Sequence, residues 1–213
     1  MSIVYSKPHI PSTPARRVAK GVLKVFGLYG IYIKVRERRK HAKLHAERVN
    51  SIIGYYSKFK PRVFVETGTY KGEMIDTMIR RFDAIYSVEL SDALYADAVK
   101  KYANERHVKL FHGDSGVMLP KMLAEIQEPA LFWLDAHFSG GETTRTDVDT
   151  PVEEELKVIF AHPVKNHVIL IDDAREFVGK NNYPTLERVE KMATAAGYGF
   201  EVKNDNIRIY PKR

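Results

Sequence analysis

Acidic side chains follow four successive apolar segments of this chain, and carboxylates at such places can bind hydroxyl groups or cations. They are Glu66, Glu89, Asp114 and Asp135. Each apolar segment is short and rich in β-branched or aromatic residues, which predicts a buried parallel strand. Because the carboxyl ends of parallel strands meet at one edge of a sheet, we expect these carboxylates to lie together there, and we name them the acidic edge. Like charges repel at such an edge unless a ligand or a cation offsets them.

The first of these segments continues into a glycine-containing turn. Residues Val63 to Gly72 read V-F-V-E-T-G-T-Y-K-G. Its spacing, E-x-G-x-x-x-G, differs from the G-x-G-x-x-G of dinucleotide sites and from the G-x-x-x-x-G-K-[ST] of phosphate loops. Gly68 permits a backbone conformation that a side chain would forbid, and Gly72 is expected to open the next helix and leave room for a ligand. A cofactor with an amino-acid end, a nucleoside end and no phosphate suits this turn, although an ordinary strand-turn-helix is the alternative.

Two further features point to a nucleoside. Glu89 follows Gly68 by 21 residues, the spacing of a carboxylate that accepts both ribose hydroxyls in adenosylmethionine or NAD sites. The glycine turn resembles the first motif of class I S-adenosylmethionine-dependent methyltransferases, and Asp114-Ser115 in H-G-D-S resembles their adenine-binding pair. The resemblance extends over residues 60–210. It implies S-adenosylmethionine as cofactor and these binding residues: Glu66, Thr67, Gly68, Thr69, Gly72, Glu89, Asp114 and Ser115.

A second group of carboxylates, named here the aspartate cluster, comprises Asp135 after the fourth predicted strand and Asp172 and Asp173 after the fifth. If these strands are neighbours, three carboxylates share one pocket, which is costly unless a cation lies among them. Hard oxygen ligands of this kind suit Mg²⁺. The arrangement resembles metal-dependent O-methyltransferases of the catechol, macrocin and novobiocin types. That resemblance implies a small-molecule or sugar substrate, with two neighbouring hydroxyls available to the ion.

Catalytic and substrate-binding candidates surround the aspartate cluster. His137 stands two residues after Asp135, where the sugar enzymes carry a second acidic residue, and we expect it to act as general base, with Asp135 also taking part in catalysis. His137 could instead be a metal ligand, orient the substrate or be an ordinary strand-end residue. Residues 139–151 form a segment typical of a lid or binding loop, or of a plain surface loop. Arg145 and Arg175 are candidates for binding an anionic substrate group.

Alternating strand and helix patterns position these residues. The predicted strands begin at Val63, Ala84, His107, Ala130 and His167, and βαβ alternation predicts a parallel sheet. Two last strands flank N-D-N, which indicates an antiparallel hairpin that dehydrogenase sheets usually lack. We therefore predict an α/β, Rossmann-like, doubly wound sheet of seven strands, forming an S-adenosylmethionine-binding domain over residues 61–213. The predicted helices are Glu73–Phe82, Asp92–Ala103, Ser115–Gln127, Val152–Ala161 and Pro184–Ala195.

Positive charge is concentrated in the first 60 residues, predicted to be a helical extension. They carry 14 Lys and Arg against 2 Asp and Glu, a net charge of +12, whereas residues 61–213 carry 20 against 25, a net charge of −5. A basic amphipathic segment can lie on an anionic membrane surface, or the extension can pack on the body or on a second copy. An RNA methyltransferase with a basic arm is an alternative, as is a non-catalytic binding protein. Nucleic acid is the less expected partner because N-P-P-Y and cysteine are absent.

The rest of the composition narrows the setting. With no cysteine, the chain has neither disulfides nor thiolate chemistry. No run of about 18 apolar residues is present, so we expect no membrane-spanning helix. The N-terminus lacks a usable secretory core, and we expect a cytoplasmic protein, with peripheral membrane contact as a second expectation.

Overall fold

The computed structural model describes residues 29–135 and 151–212, and the chain divides into two compact units, Met1–Arg48 and Val49–Arg213. Helices and strands alternate along the described ranges after one long first helix. The helices are α1 (Tyr29–Phe59), α2 (Glu73–Met78), α3 (Asp92–Lys101), α4 (Ser115–Ala124), α5 (Val152–Ala161) and α6 (Leu186–Ala195), with one 3₁₀ turn at Ala174–Glu176. The strands are β1 (Val63–Thr67), β2 (Ala84–Glu89), β3 (Val108–His112), β4 (Ala130–Leu134), β5 (Val168–Ile171), β6 (Tyr198–Lys203) and β7 (Asn206–Pro211).

The strands form one seven-stranded sheet in the order β3-β2-β1-β4-β5-β7-β6. The first five strands in this order pair in parallel, and β7 pairs antiparallel with both β5 and β6. The predicted doubly wound sheet and its C-terminal hairpin are therefore confirmed. The strand order reverses between β1 and β4, and open sheets of this type bind ligands at the carboxyl ends of the strands beside such a reversal.

Burial on both faces explains why the central strands are almost wholly apolar. Alternate residues of β1 and β4 enter two separate core clusters, with Val65 and Phe132 in one and Phe64 and Trp133 in the other. Helices α4, α5 and α6 cover the first cluster, and α2, α3 and the last turns of α1 cover the second. Each central strand is consequently fixed in register, because a slip of one residue would exchange its two faces.

The N-terminal helix from Val49 onwards belongs with the sheet. Ile52 is fully buried in the second cluster. Tyr55 Oη donates a hydrogen bond of 2.8 Å to Glu201 Oε1 in β6, and Ser51 Oγ donates one of 3.1 Å to Asn206 Oδ1 in β7. The last turns of α1 therefore pack on the sheet and are held there by hydrogen bonds to the C-terminal hairpin. The division at residue 60, between extension and domain, stays a prediction.

Element boundaries differ from the predicted ones mainly at helix ends. Helix α2 ends at Met78, four residues before the predicted end, because residues 79–82 turn so that Asp83 N can donate to Arg62 O at 2.8 Å. Helix α1 ends at Phe59, and Lys60 takes a left-handed conformation directly before Pro61, which disfavours a helical residue ahead of it. The predicted helical extension lies outside the described residues as far as residue 28.

Two buried histidines connect the amino ends of β4 and β5. Ala130 N donates to His167 Nδ1 at 3.0 Å, so the His167 proton resides on Nε2 and is donated to His162 Nδ1 at 3.1 Å. His162 then donates from Nε2 to Leu123 O at 3.0 Å. All four ring nitrogens can take part in these hydrogen bonds only while both rings are neutral. Burial, reinforced by the charge that His162 would carry, lowers the pKa of His167 to about 4.

This pair predicts a loss of stability in weak acid. The pKa of His167 is depressed in the folded protein and about 6.5 in the unfolded chain, so its contribution is present above about pH 6.5 and is lost as the pH falls towards 4. We expect up to about 3 kcal/mol of unfolding free energy to disappear over this range, measured by urea denaturation at several pH values. In His167→Gln the unfolding free energy should fall less steeply with decreasing pH than in the wild type. In the exposed control His41→Gln the dependence on pH should match the wild type. Equal slopes in all three proteins would contradict the assignment.

Candidate active site

Strand pairing brings the predicted acidic residues together at the carboxyl ends of the parallel strands. Glu66 in β1 is paired with Ser87 in β2, and Glu89 is paired with His112 at the end of β3. On the other side, Asp135 N donates to Thr67 O at 3.4 Å, and Asp172 N donates to Leu134 O at 3.0 Å. The acidic edge and the aspartate cluster therefore form one continuous row across five strands.

Glu66 is buried beneath the glycine turn. Its Oε1 accepts a hydrogen bond of 2.8 Å from Ser87 Oγ, which in turn lies 2.5 Å from Thr69 Oγ1. Burial raises the pKa of Glu66 to about 8; the Ser87 hydrogen bond opposes this shift, and the negative charge of Asp135 adds to it. Near neutral pH the side chain is therefore protonated, and it ties β1 to β2 without adding charge to the row.

The glycine turn itself requires left-handed conformations. Gly68 has a φ of +92° and Gly72 a φ of +73°. Tyr102 Oη donates to Gly72 O at 2.8 Å, and a Cβ added at Gly72 would lie 2.1 Å from that hydroxyl oxygen. The room that we predicted for a ligand beside Gly72 is thus taken by Tyr102, and the requirement for glycine comes from this packing. A binding role for Gly72 stays a prediction.

Glu89 is held rigidly at the end of β2. It is buried, its Oε2 accepts from Tyr70 N at 2.7 Å, and its Oε1 accepts from Ser91 N at 2.9 Å. An ionised carboxylate has about four acceptor positions, so each oxygen keeps capacity for a further donor. This fixed orientation fits a pair of ribose hydroxyls. Next to it, the half-buried Asp114 precedes α4, of which Ser115 is the first residue.

The aspartate cluster meets as predicted. Carboxylate oxygens of Asp135, Asp172 and Asp173 all lie within 4.8 Å of one another. Asp172 and Asp173 are buried, and Asp135 is half-buried. Three hard oxygen donors at this separation fit the requirements of Mg²⁺, which takes its other ligands from water or substrate.

The predicted substrate-binding residues have different outcomes. Arg145 and the candidate base His137 lie outside the described residues, as does most of the predicted lid. Arg175 is described, and its guanidinium contacts the carboxylates of Asp173, Glu176 and Asp205. A role for Arg175 in binding an anionic substrate stays a prediction.

One buried acid was missed in the sequence. Glu155 in the first turn of α5 is only 1% exposed, and its Oε1 has no hydrogen-bond partner among the described residues. Burial raises the pKa of Glu155 to about 7; the hydroxyls of Ser115 and Thr67 lower it, and the charges of Asp114 and Asp135 raise it. Three consecutive glutamates look like a solvated helix start, but Glu155 falls on the same helix face as Val152, Leu156 and Ile159, which was a usable signal.

Solved structures similar to this chain include several methyltransferases. A Podospora anserina methyltransferase, PaMTH1, bound to SAH has 18% sequence identity and a TM-score of 0.53, with 78% of each chain covered. The Streptomyces achromogenes O-methyltransferase TomG in complex with SAM has 12% identity and a TM-score of 0.55, covering 78% of this chain and 81% of its own. A Staphylococcus aureus protein named as a caffeoyl-CoA O-methyltransferase has 12% identity and a TM-score of 0.55, covering 83% and 91%.

At these identities the likeness shows the fold alone, which this chain shares with these solved methyltransferases. No protein-family model matches the sequence, and no curated protein matches it. The chemistry therefore has to be argued from the residues at the acidic edge and the aspartate cluster.

The contact between Gly72 and Tyr102 can be tested with a matched glycine. Gly197 also has positive φ, at +87°, but an added Cβ would have no atom within 4 Å, so Gly197→Ala measures the backbone strain alone. We expect Gly72→Ala to lose about 1–3 kcal/mol more than Gly197→Ala in urea denaturation, because its Cβ must displace the Tyr102 hydroxyl. Adding Tyr102→Phe to Gly72→Ala should recover part of that difference. Equal losses at the two glycines would show that Tyr102 can move away at little cost.

Proposed function

We propose that this protein transfers the methyl group of S-adenosylmethionine to a hydroxyl oxygen of a small molecule or sugar, assisted by Mg²⁺. The observation that supports it most is the row of fixed carboxylates at the switch point of a methyltransferase-type sheet, ending in three aspartates within 4.8 Å. Two of the similar solved structures are named as O-methyltransferases, which favours oxygen as the acceptor atom.

The glycine turn and the ends of β2 and β3 would hold the cofactor. Glu89, oriented by two backbone N–H groups, would accept hydrogen bonds from the ribose hydroxyls. Asp114 and Ser115 would bind the adenine amino group. When bound, S-adenosylmethionine supplies a methyl group on a positively charged sulfur. The SAH-bound and SAM-bound neighbours support a ligand of this kind. The residues proposed around the methionine portion are Glu66, Thr67, Gly68 and Thr69.

The aspartate cluster would hold Mg²⁺ through Asp135, Asp172 and Asp173. When bound, the ion acts as a Lewis acid that lowers the pKa of a substrate hydroxyl. His137, two residues beyond Asp135, accepts the hydroxyl proton as general base. The substrate oxygen, deprotonated in this way, would be the acceptor of the methyl group that a bound S-adenosylmethionine supplies, and S-adenosylhomocysteine would be the product released. Arg145 is the proposed partner for an anionic substrate group.

Two other functions are less well supported. An RNA methyltransferase would use the basic N-terminal residues as an arm, but the body that carries the site has a net charge of −5. A non-catalytic binding protein would not need the aspartate cluster at all. Retention of RNA at raised salt would favour the first alternative, and cofactor binding without any methyl transfer would favour the second.

The first part of α1 carries a surface suited to anionic lipid. Between residues 29 and 48 it has 7 Lys and Arg against 2 Glu, and Ile31, Val35 and Leu44 are exposed apolar residues among them. We propose that this segment lies on an anionic membrane surface, with self-association as the alternative. Among the helices in the described ranges, none has the length and apolar character needed to cross a bilayer.

Three variants should separate cofactor, metal and base. Glu89→Ala should weaken S-adenosylmethionine binding by about tenfold or more while leaving Mn²⁺ binding intact, because hydrogen bonds to a charged group are worth about 1.5–3 kcal/mol. Asp172→Asn should do the reverse. His137→Ala should keep both affinities and lower methyl transfer by about 10²–10⁴-fold. Calorimetry gives the affinities, and transfer of labelled methyl to sugars and phenols with two neighbouring hydroxyls gives the rate.

The same experiment can reject each part separately. Unchanged cofactor affinity in folded Glu89→Ala removes the ribose assignment. If methyl transfer continues in EDTA, the proposed role of the metal is wrong. Asp135 and His137 would then have to act directly on the substrate. Full activity in His137→Ala removes the general base.

Lipid binding has its own test. We expect the full chain to bind vesicles that contain phosphatidylserine and not neutral vesicles, and the triple variant Arg38→Gln, Arg39→Gln, Lys40→Gln to bind much more weakly, since each cation near such a surface is worth about 1 kcal/mol. A variant with Lys121, Lys180 and Lys191 changed to Gln removes the same charge from the body and should bind normally. If the full chain does not bind, sedimentation tests self-association instead.

A further inference from the structure

The turn of the C-terminal hairpin forms hydrogen bonds with the segment that follows Asp172 and Asp173, the acidic pair after β5. Asp205 stands between β6 and β7, and its backbone oxygen accepts from Ala174 N at 2.9 Å. Its Oδ1 accepts from Arg175 N at 2.8 Å, and its Oδ2 accepts from the Arg175 guanidinium. A single residue therefore holds both the backbone and the side chain of the two residues directly after Asp173.

Arg175 connects Asp205 to the aspartate cluster. Its Nη1 contacts Asp173 Oδ1 at 2.7 Å as well as Asp205, and its Nε lies 3.2 Å from Glu176 Oε1. Burial alone would lower the pKa of Arg175, but the carboxylates of Asp173 and Asp205 raise it, so the group stays charged. Because a guanidinium presents its donors in a rigid plane, it fixes the direction of a bound carboxylate.

Asp173 needs such a support because its own backbone is unfavourable. It has a φ of +56° and a ψ of +45°, a left-handed conformation that is unfavourable for a non-glycine residue. The hairpin also holds the residue before the acidic pair, since Asn206 Nδ2 donates to Ile171 O at 2.9 Å. Asp172 and Asp173 are thus fixed from both sides by two consecutive residues of one turn.

We propose that Arg175 and Asp205 are positioning residues of the cation site: Asp205 orients Arg175, and Arg175 holds the Asp173 carboxylate where a divalent cation can use it. The inference rests on the proposed metal site and gives Arg175 a role other than binding the substrate. An oxygen that accepts from Arg175 still has a lone pair for a cation. The second aspartate of the pair therefore depends on a residue 32 positions later in the chain.

The sign of the effect distinguishes positioning from simple charge compensation. If Arg175 only neutralised the aspartates, it would compete with a cation, and its removal would tighten metal binding. If it positions a ligand, its removal weakens binding, and partners of metal ligands are typically worth about 10–100-fold in affinity.

The test measures binding of Mn²⁺ alone to the full chain by calorimetry and electron paramagnetic resonance, with Mg²⁺ as competitor. We expect Arg175→Met and Asp205→Asn each to weaken Mn²⁺ binding by about 10–100-fold, and the double variant to be no weaker than Arg175→Met, because the two residues act in series. Arg175→Lys should fall between wild type and Arg175→Met. The control Arg188→Met removes the same charge from an exposed pair with Glu153 and should leave affinity unchanged.

Affinity equal to or above that of the wild type in Arg175→Met overturns the inference, as do additive losses in the double variant. If Arg175→Met does not fold, Arg175→Lys and Asp205→Asn decide, and unchanged affinity in both overturns it. If the wild type binds no Mn²⁺, the metal part of the proposed function is wrong and the inference falls with it, while S-adenosylmethionine binding, measured separately, still tests the remainder.

Discussion

Carboxylates at one edge of the sheet repel one another, and the surrounding structure has to offset this repulsion. An uncompensated buried charge costs several kcal/mol, and the chain avoids that cost by a different means at each position. Glu66 has its pKa raised to about 8 and is neutral near pH 7, Glu89 accepts two backbone N–H groups, and Asp173 is paired with Arg175. Burial raises the pKa of Glu155 to about 7, which favours its neutral form. The buried acids Glu66 and Glu155 thus add little negative charge. The charge remains on the carboxylates that a ligand or a cation can reach.

The C-terminal hairpin follows from the same constraint. It extends the sheet, and it also supplies Asp205 and Asn206, which hold the segment around the acidic pair. Asn206 accepts in turn from Ser51 of α1, and Tyr55 of α1 donates to Glu201 in β6. The last turns of α1, the hairpin and the end of β5 therefore form one hydrogen-bonded group.

Short-range patterns predicted what depends on strand order, and they failed where distant residues decide. Alternation of strands and helices was enough to place Asp135 beside Asp172, because parallel strands end at a common edge. The packing of Tyr102 against Gly72 could not be predicted, since Tyr102 lies 30 residues later and no local pattern shows its contact. The ion pair of Arg175 with Asp205 could not be predicted either, because Asp205 belongs to a turn 30 residues away. Glu155 was missed because two other glutamates precede it.

Asp135 occupies the place where the two proposed halves of the site join. It follows β4 at the point where the strand order reverses, and its backbone N–H donates to Thr67 O in the glycine turn. A Cβ added at Gly68 would lie 3.6 Å from Asp135 Cβ, so Asp135 is a close neighbour of the glycine turn. In the proposed reaction the site would hold both a positively charged cofactor and a divalent cation, and the two positive charges would repel each other. A half-buried carboxylate at the end of β4 would reduce the electrostatic cost of holding both, so Asp135 would serve the cofactor as well as the metal.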